Sequence, residues 1–159
     1  MRSYFAAIAA TTILTLGVAA CTPNTIPGTP IYDTKDNRAV LDVLSQYQSA
    51  SQALDSDGLL QLASTKYFDK SFMDRGRSPI DYAHLQKMLT DKFGRLKALK
   101  MEITPKDLHI KGDTAQVDYF MVMHFSMAEP QGEKWFSESD DERMSLARED
   151  GGWKVVAGM

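Results

Sequence analysis

The hydrophobic period changes once along this chain, at Leu96, and that change dictates what the chain can become. Before it, apolar residues recur at three- and four-residue spacing. After it, they alternate. Val40, Leu44, Tyr47 and Leu54 mark a first helix that Asp36 or Asn37 can cap, and Asp55-Ser56-Asp57-Gly58 breaks it. Leu59, Leu60, Leu62 and Ala63 predict a short second helix. Ser78-Pro79-Ile80-Asp81 reads as the start of a third, with a capping hydroxyl and proline in the first helical position. Its buried stripe is Tyr82, Leu85, Met88, Leu89 and Leu96.

Beyond Leu96, Leu99, Met101 and Ile103 alternate with charged residues until Pro105 stops the run. Leu108 and Ile110 predict a separate short strand ending at Gly112-Asp113. The longest strand follows, from Thr114 to Met127. One face carries Val117, Tyr119, Met121, Met123, Phe125 and Met127. The other carries Gln116, Asp118, Phe120, Val122, His124 and Ser126. Glu133 to Arg148 is another long strand, which Asp150-Gly151-Gly152 turns into Trp153 to Met159. Helices followed by an antiparallel sheet predict the α+β class.

Cys21 is the single cysteine of the 159 residues. It follows a short basic start (Met1-Arg2) and an uncharged apolar run ending Val18-Ala19-Ala20, the pattern of a secretory leader. Val18-Ala19-Ala20-Cys21 resembles the lipobox of bacterial lipoproteins. That resemblance implies a signal peptide over residues 1–20, lipidation of Cys21, and anchoring to the outer membrane facing the periplasm, since Thr22 is not the aspartate associated with inner-membrane retention. Each buried methylene adds about 0.8 kcal/mol, so two or three chains would hold the protein firmly. Residues 21–35, with three of the six prolines, predict an extended tether, and residues 36–159 the folded domain.

Once Arg2 leaves with the leader, 17 basic residues face 21 acidic ones. This mildly acidic, evenly mixed balance gives no footprint for nucleic acid. With its sole cysteine at the leader boundary, the domain has no thiol for a disulfide, a metal site or a nucleophile. His84, His109 and His124 lie on separate elements without ligand spacing, so no metal or other cofactor is expected. Ser137-Glu138-Ser139-Asp140-Asp141-Glu142 reads as a solvated edge.

The element order from Asp36 to Met159 resembles the nuclear transport factor 2-like superfamily. So do the last hairpin, Arg148-Glu149-Asp150-Gly151-Gly152-Trp153-Lys154-Val155-Val156, and Asp55-Ser56-Asp57-Gly58-Leu59. The resemblance implies a strongly curved sheet wrapped around three helices into a cone with an apolar pocket. Enzymes of that superfamily place a carboxylate or histidine base in the cone. The candidates here are Tyr47, Tyr67, Asp69, His109, Asp118, Tyr119 and His124. None matches an isomerase residue by residue, so no catalytic residue is expected. Tyr47, Tyr67, Tyr119 and His124 are the expected ligand contacts. Asp118 should point away from Tyr119. The sequence thus leads to an anchored protein that binds a small apolar ligand or an envelope protein without catalysis, with a homodimer left open. Two alternatives stand beside it, an isomerase- or dehydratase-type pocket enzyme and an assembly accessory.

Overall fold

A four-stranded antiparallel sheet in the order β3-β4-β5-β6 forms one wall of the molecule. Its strands are β3 (Leu96–Lys111), β4 (Thr114–Glu129), β5 (Gly132–Glu149) and β6 (Gly152–Ala157). The computed structural model describes residues 24–71, 73 and 78–159. The leader over residues 1–20, the lipidation site Cys21, and the stretch 74–77 in the loop before the third helix lie outside the described residues. Of three helices, α1 (Lys35–Gln52), α2 (Ser56–Leu62) and α3 (Tyr82–Phe93), the first two pack against the sheet and α3 packs against α2 and the ribbon that precedes it. A two-stranded ribbon of β1 (Phe68–Asp69) and β2 (Ile80–Asp81) stands beside them.

Length decides how helices and sheet can fit. A 16-residue strand reaches roughly 53 Å, whereas α1 with 18 residues reaches about 27 Å. Straight strands would leave much of their apolar face bare, so the sheet bends. Register shifts between Leu96 and Ala98, between Pro105 and Asp107, and between Ser145 and Leu146 supply local kinks. Pro105 therefore does not end its strand, as its lack of an amide donor suggested. It sits at a bulge on an edge strand, where that donor is dispensable, and β3 runs on through Leu108 and Ile110.

The core lies between the helices and the inner faces of the strands. Val40, Leu59, Leu85, Val117, Met144 and Val155 are fully buried there. Trp153 is buried as its alternation with Val155 predicts, and the Arg148 guanidinium lies 4.5 Å above its ring.

The helix starts differ from expectation in an instructive way. Thr34 caps α1, its hydroxyl accepting from the Asn37 backbone N–H at 3.1 Å. Asp81, not Ser78, caps α3, because Ile80 and Asp81 are drawn into pairing with Asp69 and Phe68 before the helix can begin. Residues 24–33 do not form an extended tether. The Thr29 N–H donates to the Ile26 carbonyl at 3.0 Å across Pro27-Gly28, with Gly28 at φ 80°, the arrangement of a type II turn. The resulting small hairpin buries Ile31 to 4% exposure, so the fold extends to the residues that precede α1.

The β5–β6 turn places both Asp150 and Gly151 at positive φ. Gly152 has ordinary φ, and an added Cβ would meet nothing nearer than 3.9 Å. Gly158 is the demanding position: at φ 85°, a Cβ would stand 2.0 Å from the Arg143 carbonyl. Urea unfolding should therefore show Gly152→Ala close to wild type and Gly158→Ala destabilised by more than about 1 kcal/mol. Trp153→Ala should cost about 3–5 kcal/mol. Near-equal midpoints for Gly152→Ala and Gly158→Ala would contradict the close approach of the C-terminal residues to β5.

Candidate functional site

Between the helices and the bent sheet lies a cavity of about 780 Å³, within the size range of small-molecule sites. Its floor is apolar: Leu99 and Met101 from β3, Met121 and Met123 from β4, Leu59 from α2 and Leu89 from α3. The alternation of β4 brings this about, since Tyr119, Met121 and Met123 face inward and their neighbours face out.

β5 closes the cavity with charge. β6 pairs only with Ser145 to Glu149, so among the described residues the earlier part of β5 is a free edge. The register sets Glu142 opposite Tyr119, Asp140 opposite Met121 and Glu138 opposite Met123. The acidic run is thus an edge, as its composition suggests, but its alternate carboxylates share the concave face. Glu138 and Glu142 line the cavity. Carboxylates on an inward face also discourage another strand from adding to the edge.

Of the four residues expected to contact a ligand, Tyr47 and Tyr119 line the cavity. Tyr67 is buried directly behind the wall, its hydroxyl accepting from the Met159 N–H at 3.1 Å. His124 is a correction: it is exposed on the outer face, opposite Lys100 and Ser137, because it is an odd number of residues from the inward Tyr119 and Met123. His109 and His84 are also exposed, each beside an aspartate (Asp107 and Asp81). Asp118 faces outward as expected, joined to Arg143 by two hydrogen bonds of 2.6 and 2.8 Å.

Burial raises the Tyr47 hydroxyl to about 12, assisted by the charge of Glu142 and opposed by a hydrogen bond with Ser51. Burial likewise pushes Tyr67 and Tyr119 upward. All three stay protonated near neutral pH and act as neutral hydrogen-bonding groups.

Asp69 is the carboxylate that sequence reasoning undervalued. It lines the cavity at 4% exposure. Burial alone would raise its pKa, but hydrogen bonds outweigh burial and hold it below the usual range. The Ser71 N–H donates to Oδ1 at 2.8 Å, the Gly158 N–H to Oδ2 at 3.0 Å, and the Tyr67 hydroxyl to Oδ2 at 3.4 Å. One ionised side chain thereby ties the ribbon to the C-terminal residues. The partner that could have flagged it, Gly158, lies 89 residues away in sequence.

No family model matches the chain, and no curated protein matches it. Solved structures do share its fold. A nuclear transport factor 2 (NTF2)-like superfamily protein from Salmonella enterica serovar Typhimurium superposes with a TM-score of 0.63 at 11% identity, over 76% of this chain and 86% of the other. A proposed dehydratase of the NTF2-like family from Streptomyces avermitilis gives 0.63 at 13%, covering 77% and 93%. A proposed scytalone dehydratase from Novosphingobium aromaticivorans gives 0.62 at 11%, covering 77% and 80%. The chain has the NTF2-like fold.

The Asp69 geometry generates a test with a definite sign. A carboxyl whose folded pKa is depressed adds stability above its unfolded value of about 3.9, and that stability disappears as pH falls through the folded pKa. Asp69→Asn should lose about 1–3 kcal/mol near neutral pH. The gap between wild type and variant should close as unfolding is followed down past about pH 4. A gap that does not change with pH would mean that Asp69 is not ionised in the fold.

Proposed function

We propose that this protein is a lipid-anchored bacterial envelope protein whose cone binds a small, largely apolar molecule without chemically changing it. The observation that carries the non-catalytic part is the occupancy of Asp69. A general base works best with a pKa near the working pH. Asp69 already accepts from three structural donors, and these hold its pKa below the usual carboxylate range, away from neutral pH. Glu138 and Glu142 sit on the β5 wall, where they bound the apolar floor. The tyrosine hydroxyls, held protonated, can orient a polar end of the ligand.

The second reading, a pocket enzyme of dehydratase type, draws on the names of two fold neighbours and on the buried Tyr67 and Tyr119 beside the half-buried Tyr47. Proton transfer would require Asp69 to exchange its structural donors for a substrate. The envelope location rests on the leader and on Cys21.

Binding is tested with a neutral apolar fluorophore such as N-phenyl-1-naphthylamine. Wild type should enhance its emission saturably, and Met121→Trp, which fills the floor, should weaken binding at least tenfold. Equal affinity in both proteins would remove the cavity as the binding site. Proton exchange on an enolisable ketone that disappears in Asp69→Asn while the fold persists would favour the enzyme. For the anchor, Cys21→Ala should abolish incorporation of a fatty-acid probe in cells, and undiminished labelling would end the lipoprotein reading.

A further inference from the structure

The cavity does not stop at the helices. A second apolar depression of about 580 Å³ lies along α3 and the ends of β3 and β4, floored by Ile80, Met88, Leu96, Phe125 and Met127. Met88, Lys92, Leu96 and Phe125 line both spaces, so the interior and the outer groove adjoin along these side chains.

Charge divides this path in two. The interior carries Asp69, Glu138, Asp141 and Glu142, against Arg143, which is ion-paired with Asp118, and Lys92 at the boundary with the groove. The groove carries Lys87, Lys92 and Arg95, with Asp91 among them. These three cations belong to no ion pair among the described residues, whereas Arg38, Lys106, Arg143 and Arg148 each pair with an aspartate. Lys134, directly across from Met127, adds a fourth positive charge at this end. Its ammonium lies 5.0 Å from the Phe136 ring, which stacks on Phe125 at 5.4 Å between centroids.

We propose that the natural ligand is a single-chain amphiphile with an anionic head. Its tail enters the methionine-lined cavity, and its head rests in the groove on Lys87, Lys92 and Arg95. This rests on the binding reading above and specifies its ligand. The two charge zones permit one orientation. The inner carboxylates repel an anionic head and the groove attracts it, while the tail replaces water along the apolar floor. Exposed lysines near the C-terminal end of α3 also complement the helix dipole. That role needs neither the apolar floor between them nor the adjoining interior.

The test compares dodecanoate, dodecanol and dodecyltrimethylammonium as competitors of the neutral fluorophore, at neutral pH and below their micellar concentrations. Dodecanoate should bind about five- to tenfold tighter than dodecanol at low salt. The ratio should shrink at high salt and fall toward one in Lys87→Gln/Arg95→Gln. Equal binding of dodecanoate and dodecanol to wild type would overturn the anionic head while leaving an apolar-binding cone. Tightest binding of the ammonium compound would overturn it in favour of the acidic β5 wall. A ratio unchanged in Lys87→Gln/Arg95→Gln would remove the groove as the head site. Failure of all three, and of the fluorophore, would defeat the binding reading itself.

Discussion

Everything distinctive in this molecule depends on a mismatch of lengths between sheet and helices. β5 has 18 residues and β4 has 16, but β6 has 6 and α3 has 12. Short elements cannot cover long strands, and a bare apolar face is unfavourable at about 25 cal/mol per Å². Bending the sheet around the helices buries part of the face. What remains uncovered becomes the cavity and the groove beyond it. The cavity is therefore the space that this combination of element lengths leaves unfilled.

Asp69 ties together two segments that line that space. By accepting from Ser71, Gly158 and Tyr67, it fixes the ribbon and the C-terminal residues as parts of the cavity wall. The same commitment makes it a poor base, so structural and catalytic uses of this carboxylate compete. On the opposite wall, the alternate carboxylates of β5 serve two ends. They guard a strand edge that is free among the described residues, and they contribute negative charge to the cavity wall.

Local pattern carried much of the fold into the sequence. Alternation from Thr114 onward assigned the inner face of β4, including Tyr119 and the outward Asp118, because a strand's side-chain period is fixed by its pleat. It also placed His124 outside, so selecting that histidine as a ligand contact went against the register already visible. Long-range pairing was not legible. Ser78-Pro79 has good capping chemistry, but the pairing of Ile80 with Asp69 delays the helix. Pro105 breaks a strand on local grounds but is absorbed at an edge bulge. The proline-rich segment reads as a tether, yet Pro27-Gly28 makes a turn that lets Ile31 dock. Asp69 illustrates the limit best, since its role depends on residues brought together only by the finished fold.

The central claim is that the methionine-floored cone takes up an apolar chain. Methyl resonances of ¹³C-methyl-methionine protein report this directly, because Met101, Met121 and Met123 line the cavity while Met144 is fully buried away from it. Titration with dodecanol should shift the first three methyls together, at a common affinity, and leave Met144 nearly unmoved. Shifts confined to the exposed Met73, or no saturable shift at Met121 and Met123, would contradict the account.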